Sequence, residues 1–272
     1  LQTIFNSKLN ADGYEVIPSV YSDKTIGLLR NELNKIFNSP PLEGFLNIDN
    51  HPRIGSIRMP LLRYDNIVEY IFTEHLIENL KNCFSDKTLK LLSTGKQRIC
   101  LSPETNIHKN GFGTWHKDTD AQERAGLSFH WKNGYSILQA AIYLQDNFLH
   151  GGGGLDVISG SHLIPNPFGL SSSPDERDEW YSNKKFTRVF SKSGDVVIFD
   201  TRTDHCASQP HHGIQPKYGD KYGIFFSFGL LDEHSLNYSN FIKNRTDYQP
   251  INFSVSEKTA SIARKLGFAI YS

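Results

Sequence analysis

The chain has 272 residues, of which 38% are apolar and 21% charged, and Lys plus Arg equals Asp plus Glu at 29 each. That balance gives no global pull toward nucleic acid or an anionic membrane. The length allows a substantial core without disulfide staples, and the three cysteines, Cys83, Cys100 and Cys206, are too few and too widely spaced for a disulfide framework or a zinc knuckle, so they read as free thiols.

Residues 13–20, GYEVIPSV, read as a short strand ended by Pro18. Ser22 or Asp23 then caps a helix running to about Phe37, with Ile26, Leu29, Leu33 and Ile36 at helical spacing. Pro40 and Pro41 close it. A second helix is expected over 66–84, with Ile67, Ile71, Leu76, Leu80 and Phe84 on one stripe. From about residue 88 the pattern changes to short apolar runs bounded by Gly, Asn, Pro and Asp: LKLLS, RICLS, SILQAAIYL, LDVIS, TRVFS, DVVIFD and YGIFFSFGLL. Many short strands with turn punctuation predict a β-sandwich or barrel, and the intervals are too short and polar for regular crossover helices. Residues 166–185 read as a long polar loop or lid, GGGG at 151–154 as a turn, and residues 256–268 as a final helix. No run of 18 apolar residues and no basic-then-apolar leader is visible, so neither a membrane span nor a signal peptide is expected. The chain starts at Leu1 and its sole methionine is Met59, which points to a trimmed start; a cytoplasmic location is the default expectation.

The stretch TWHKDTD at 114–120 carries the chemistry. In an extended segment His116 and Asp118 leave the same face, where an imidazole and a carboxylate can share a proton or a metal ion. A third ligand decides between these, and His205 follows the strand-like DVVIFD in GDVVIFDTRTDH. Two histidines and one carboxylate form the facial set that holds a non-haem Fe(II), with positions left open for substrate and dioxygen. Asp120 is a rival carboxylate with a longer reach.

The order HKD, ILQAAIYLQDN, GGGGLDVISGSH and GDVVIFDTRTDH resembles the phytanoyl-CoA dioxygenase-like group of Fe(II)/2-oxoglutarate oxygenases, and ADGYEVIP resembles its N-terminus. The resemblance covers roughly 11 to 230. It implies a double-stranded β-helix, a cupin-like jelly roll that is mainly β with flanking helices: a helical support over about 1–87, a core over about 88–231 and a helical tail over about 232–272, all in one domain. It implies Fe(II), 2-oxoglutarate and O2 as cofactor and co-substrates, and oxidation of an unactivated C–H bond of a small molecule or natural product, with succinate and CO2 as co-products. Metal ligands would be His116, Asp118 and His205, with Gln139 near the iron. The group's arginine some eleven residues after the second histidine is missing: position 216 is Pro. Lys221 is therefore the expected partner of the distal carboxylate, with Lys217 and Arg202 as fallbacks and Ser208 or Ser227 adding a hydroxyl. Asp118 fills the place that halogenating relatives leave open, which favours hydroxylation. Arg98, Trp115, Trp131 and Tyr135 are candidate substrate contacts, though packing or a strand edge explains them about as well, and His162 reads as structural. No nucleic-acid or membrane partner is expected. The rival readings are a non-catalytic, sugar-binding-like jelly-roll module, and an oxygenase of this group that desaturates, cyclises or acts on a protein side chain.

Overall fold

The computed structural model describes residues 4–38, 45–47, 55–58, 64–86, 90–103, 115–147, 154–165, 174–208, 220–245 and 254–271. Two sheets face each other, with helices on the outside of the larger one. The order in the large sheet is β1 (Tyr14–Ile17), β8 (Val196–Asp200), β5 (Leu138–Tyr143), β10 (Asp220–Leu230), β4 (Leu91–Pro103), β3 (Gly55–Arg58), β2 (Phe45–Asn47), and β11 (Ala269–Ile270) joins β4. The small sheet runs β7 (Thr187–Val189), β6 (Leu155–Val157), β9 (His205–Ala207). Every pairing among these is antiparallel except β11 with β4. The architecture is the jelly roll expected from the strand-and-turn pattern. Strands β1, β2, β3 and β11 enter the large sheet from outside residues 88–231.

Alternation along the central strands separates two cores. Leu138, Ala140 and Ile142 of β5, Val196 and Ile198 of β8, and Tyr222, Ile224, Phe226 and Phe228 of β10 face the helices. The helical side is supplied by α1 (Ser7–Asp12), α2 (Asp23–Phe37), α3 (Asp65–Ile71), α4 (Glu74–Asn82) and α8 (Glu257–Leu266). Residues of the other parity, Ala141, Tyr143, Val197, Phe199 and Phe225, meet Leu155, Val157 and Val189 of the small sheet. This second, inner core lies between the sheets.

Helix α2 begins where the sequence places it, because the Ser22 hydroxyl accepts the Thr25 amide at 3.2 Å. The single helix expected over 66–84 is two. Phe72 adopts an extended conformation (φ −88°, ψ 96°), and the Thr73 hydroxyl accepts the Leu76 amide at 3.1 Å, starting α4 afresh. The stripe is unaffected: Ile67, Ile71, Leu76, Leu80 and Phe84 are all buried. The runs LKLLS and RICLS merge into the one strand β4, which a register shift opposite Phe226 and Phe228 accommodates. Within the polar stretch 166–185 lies α6 (Pro174–Ser182); residues 166–173 are outside the described residues, as are Pro40 and Pro41. The final helix is capped by Ser256 and ended by Gly267, and α7 (Glu233–Asn244) precedes it. Among the described residues Cys83 and Cys206 are free thiols, and no helix is long and apolar enough to cross a membrane.

Candidate metal centre

The turn between β8 and β9 delivers His205. Gly13 holds that turn: its carbonyl accepts the Asp200 amide at 2.9 Å and the Thr203 hydroxyl at 2.9 Å. The segment 115–119 has no regular strand of its own. It meets the small sheet at one bridge, in which the His116 amide donates to the His205 carbonyl at 3.0 Å and the His205 amide donates to the His116 carbonyl at 2.9 Å. The bridge brings the two imidazoles to a centroid separation of 4.3 Å. His205 Nδ1 lies 2.9 Å from the Thr203 carbonyl. A carbonyl only accepts, so the proton sits on Nδ1 and Nε2 presents its lone pair, as a metal-binding imidazole requires.

One ligand atom each from His116, Asp118 and His205 lie within 4.8 Å of one another. Adjacent ligands of a facial set with bonds of about 2.1 Å stand about 3.0 Å apart, so ligand atoms already within 4.8 Å of one another close on one ion by small side-chain rotations. His205 is buried, Asp118 half-buried and His116 exposed. Nitrogen and carboxylate donors in a two-to-one ratio fit a divalent iron, and the residues present therefore fit the metal that the chain's motifs imply. Cys206 offers no competing thiolate, because burial beside Asp156 pushes its thiol up to about 12. Asp120 turns away: its carboxylate accepts the Lys117 amide at 3.2 Å and it opens α5 (Asp120–Arg124).

Beside the histidines, Phe199 on β8 sets its ring 4.7 Å from that of His205. Gln139 pairs with Phe199 across the β5–β8 ladder and with Ser227 across the β5–β10 ladder. Its Oε1 accepts the Ser227 hydroxyl at 2.6 Å, while its amide NH2 has only a long contact, 3.4 Å, to the Ala140 carbonyl. Both are buried between the sheets. Lys221 is half-buried on the same strand and the same parity as Phe225 and Ser227. It stands six residues from Ser227, about 20 Å at roughly 3.3 Å per residue.

That separation corrects one expectation. Ser227 cannot share a carboxylate with Lys221, because the two occupy opposite ends of β10. Ser208 is not brought to the inner face either. Its hydroxyl donates to Asp156 at 2.7 Å, and Asp156 pairs with Arg188 at 3.0 Å on the face of the small sheet opposite to Leu155 and Val157. Arg202 is committed to Asp200 at 2.6 Å, with a further contact to the His130 carbonyl. Lys217 lies outside the described residues. Arg98 sits on β4 opposite Phe225. Trp115 stacks on Tyr181 at 5.7 Å, Trp131 lies 5.9 Å from both Lys117 Nζ and the Arg202 guanidinium, and Tyr135 is buried with its hydroxyl 2.7 Å from that of Thr201. His162 is buried and touches the Asn10 carbonyl.

The sequence reading passed over Lys117, Asp204 and Tyr181. Lys117 is fully buried and ion-paired to Asp204 at 3.1 Å, and Tyr181 of α6 donates to Asp204 at 2.8 Å. A signal was present in the pattern. In HKD and in DH, the residues adjoining the ligands must point to the reverse face, and Lys in one with Asp in the other is a complementary pair.

The family model described as Phytanoyl-CoA dioxygenase (PhyH) matches residues 9–215. The chain belongs to the phytanoyl-CoA dioxygenase family. It is an Fe(II)/2-oxoglutarate-dependent oxygenase. No curated protein sequence matches it. Among solved structures, the non-heme alpha ketoglutarate dependent epimerase SnoN from nogalamycin biosynthesis superposes with a TM-score of 0.59 at 17% identity, covering 82% of this chain and 78% of that one. EctD from S. alaskensis with bound Fe gives 0.58 at 17% identity, covering 82% and 75%. The carbocyclase SnoK from nogalamycin biosynthesis gives 0.55 at 17%, covering 81% of each. These likenesses establish the shared fold.

Proposed function

We propose that this oxygenase hydroxylates an unactivated C–H bond of a small molecule, within a single domain that spans the chain. The observation that carries the reading is the set of His116, Asp118 and His205 ligand atoms within 4.8 Å of one another at the rim of the inner core. His116, Asp118 and His205 would hold Fe(II), and iron so held supplies the oxidising power while 2-oxoglutarate is converted to succinate and CO2. With Asp118 in place the third protein ligand is a carboxylate, which supports hydroxylation over halide transfer.

The chain's own residues would orient the co-substrate. Gln139, one row from the Phe199 ring that packs on His205, offers its poorly satisfied amide NH2 to the end of 2-oxoglutarate nearest the metal. Ser227 fixes that amide's orientation by donating to its oxygen. Lys221, at the far end of β10 and on the inward parity, would pair with the distal carboxylate as a point charge. The Cα positions of Ser227 and Lys221 are about 20 Å apart, far more than a five-carbon diacid spans, so Lys221 would reach it by leaning its long side chain back along the strand. SnoN and EctD have been crystallised with alpha ketoglutarate or 2-oxoglutarate and a small molecule, nogalamycin RO in one case and 5-hydroxyectoine in the other, and a small-molecule substrate fits that pattern.

Anaerobic titration of the protein with Fe(II) and then 2-oxoglutarate tests the reading through the weak visible charge-transfer band of the chelate. The band is expected in the wild type and absent in His116→Ala. Product analysis with candidate substrates then separates an added hydroxyl from desaturation, ring closure or epimerisation. A folded wild type that shows neither the band nor succinate formation refutes the assignment.

A further inference from the structure

The residue between the two ligands of HKD is a lysine with less than 1 part in 50 of its surface exposed, at 1%. Its ammonium has three donors and three acceptors: the Arg202 carbonyl at 2.6 Å, the Ser161 carbonyl at 2.7 Å and the Asp204 carboxylate at 3.1 Å. Two of the three belong to the turn that ends in His205. The third acceptor's residue, Ser161, also binds that turn, since its hydroxyl accepts the Asp204 amide at 2.8 Å. Asp204 is held from a second side by the Tyr181 hydroxyl. The lysine is thus bonded across the gap between the segment carrying His116 and Asp118 and the segment carrying His205.

Such an arrangement has no obvious value to the fold. Desolvating two charges costs about as much as their attraction returns, and a well-packed apolar pair of the same volume commonly serves stability as well or better. What it does give is a fixed geometry. The backbone connection between 115–119 and the small sheet is one bridge of two hydrogen bonds, about which the segment could pivot. A third tie, displaced to the opposite side of the chain from the ligands, removes that freedom.

We propose that Lys117 is the positioning residue of the metal centre: its ammonium fastens the His116–Asp118 segment to the 202–205 turn and so sets the separation of the two histidines. The inference rests on the metal reading given above. It does not require Lys117 to touch metal, co-substrate or substrate. Its effect passes through the placement of His116 and Asp118 relative to His205.

Mn(II) binding followed by electron paramagnetic resonance, and the visible spectrum of the Co(II) form, test it without turnover. Lys117→Met keeps the stem and deletes the three donors, but it strands a buried carboxylate and can compromise folding. The double variant Lys117→Met, Asp204→Asn removes both charges and is expected to recover thermal stability. Both variants are expected to bind Mn(II) ten- to a hundredfold more weakly than the wild type, the loss typical of residues that orient metal ligands, and the double variant is expected to show a shifted Co(II) spectrum. A folded double variant with wild-type Mn(II) affinity and an unchanged Co(II) spectrum overturns the proposal. So does an affinity that returns in step with the melting temperature, which is what a purely structural role would give. A wild type that binds Mn(II) no better than His116→Ala would instead sink the metal reading, and the inference with it.

Discussion

Gly13→Ala is expected to weaken the fold at a point that also holds His205. Gly13 has φ +79°, and a Cβ there would stand 2.5 Å from His162 Nδ1 and 2.6 Å from Thr203 Oγ1. The left-handed conformation alone costs a non-glycine residue about 1–2 kcal/mol. Displacing Thr203 also breaks its hydrogen bond to the Gly13 carbonyl, worth about 1 kcal/mol net. His162 has little room to retreat, being 2% exposed and held at the Asn10 carbonyl; moving packed side chains adds about 1 kcal/mol or more. The sum is about 3–4 kcal/mol, which for a chain of this length is a fall in melting temperature of roughly 6–15 °C. Urea denaturation followed by tryptophan fluorescence gives the free energy, and Mn(II) titration of the folded fraction shows whether the turn has moved. A loss below about 1 kcal/mol with unchanged Mn(II) affinity would refute the claim that Gly13 anchors the turn by close approach.

Lys221→Ala is expected to raise the dissociation constant for 2-oxoglutarate at least tenfold while leaving Mn(II) affinity within twofold, with Lys221→Arg retaining most of the binding; equilibrium titration of the metal-loaded protein checks this. Tyr181→Phe keeps the ring stacked on Trp115 but deletes a donor to the buried Asp204 carboxylate, and denaturation should report a loss of about 1.5–3 kcal/mol. Burial holds the His162 imidazole below its ordinary value. The folded state therefore binds fewer protons there than the unfolded state once the pH falls through about 6.5, so its contribution is complete above that pH and is lost on acidification toward the depressed value. Melting curves between pH 7.5 and 5 should show a smaller acid-side decline in His162→Gln than in the wild type.

The jelly roll was legible because its strands carry turn residues at both ends, as in DVVIFD bounded by Gly194 and Thr201, and the ligand triad was legible because HxD and the later histidine keep a recognisable order. The break at Phe72–Thr73 was not, since a threonine inside an apolar stripe satisfies helical spacing and N-capping alike; only the side-chain hydrogen bond decides. Ser208 and Ser227 were placed by nearness in sequence to His205 and to Lys221. Strand parity sends Ser208 to Asp156 on the far face, and strand length carries Ser227 about 20 Å from Lys221. The aromatics after HKD were ambiguous for a similar reason: Trp131 and Tyr135 suit a pocket wall or a packed brace, and their contacts to Arg202 are those of a brace.

The charges around the centre bear on the order in which its ligands bind. Three described cations near the triad are each matched to a buried carboxylate: Lys117 to Asp204, Arg202 to Asp200 and Arg188 to Asp156. At these short distances each pair is close to neutral when seen from the inner core. None of the three therefore offers net positive potential to an incoming dianion, and Asp118 adds a negative charge at the ligand face. A divalent ion reverses that sign, leaving about one net positive charge on the triad. Attraction for the near carboxylate of 2-oxoglutarate would thus arise with the metal. Metal first and diacid second is the expected binding order: titrating 2-oxoglutarate into metal-free and Mn(II)-loaded protein should show tight binding only in the loaded form, and equal affinity in both would refute it.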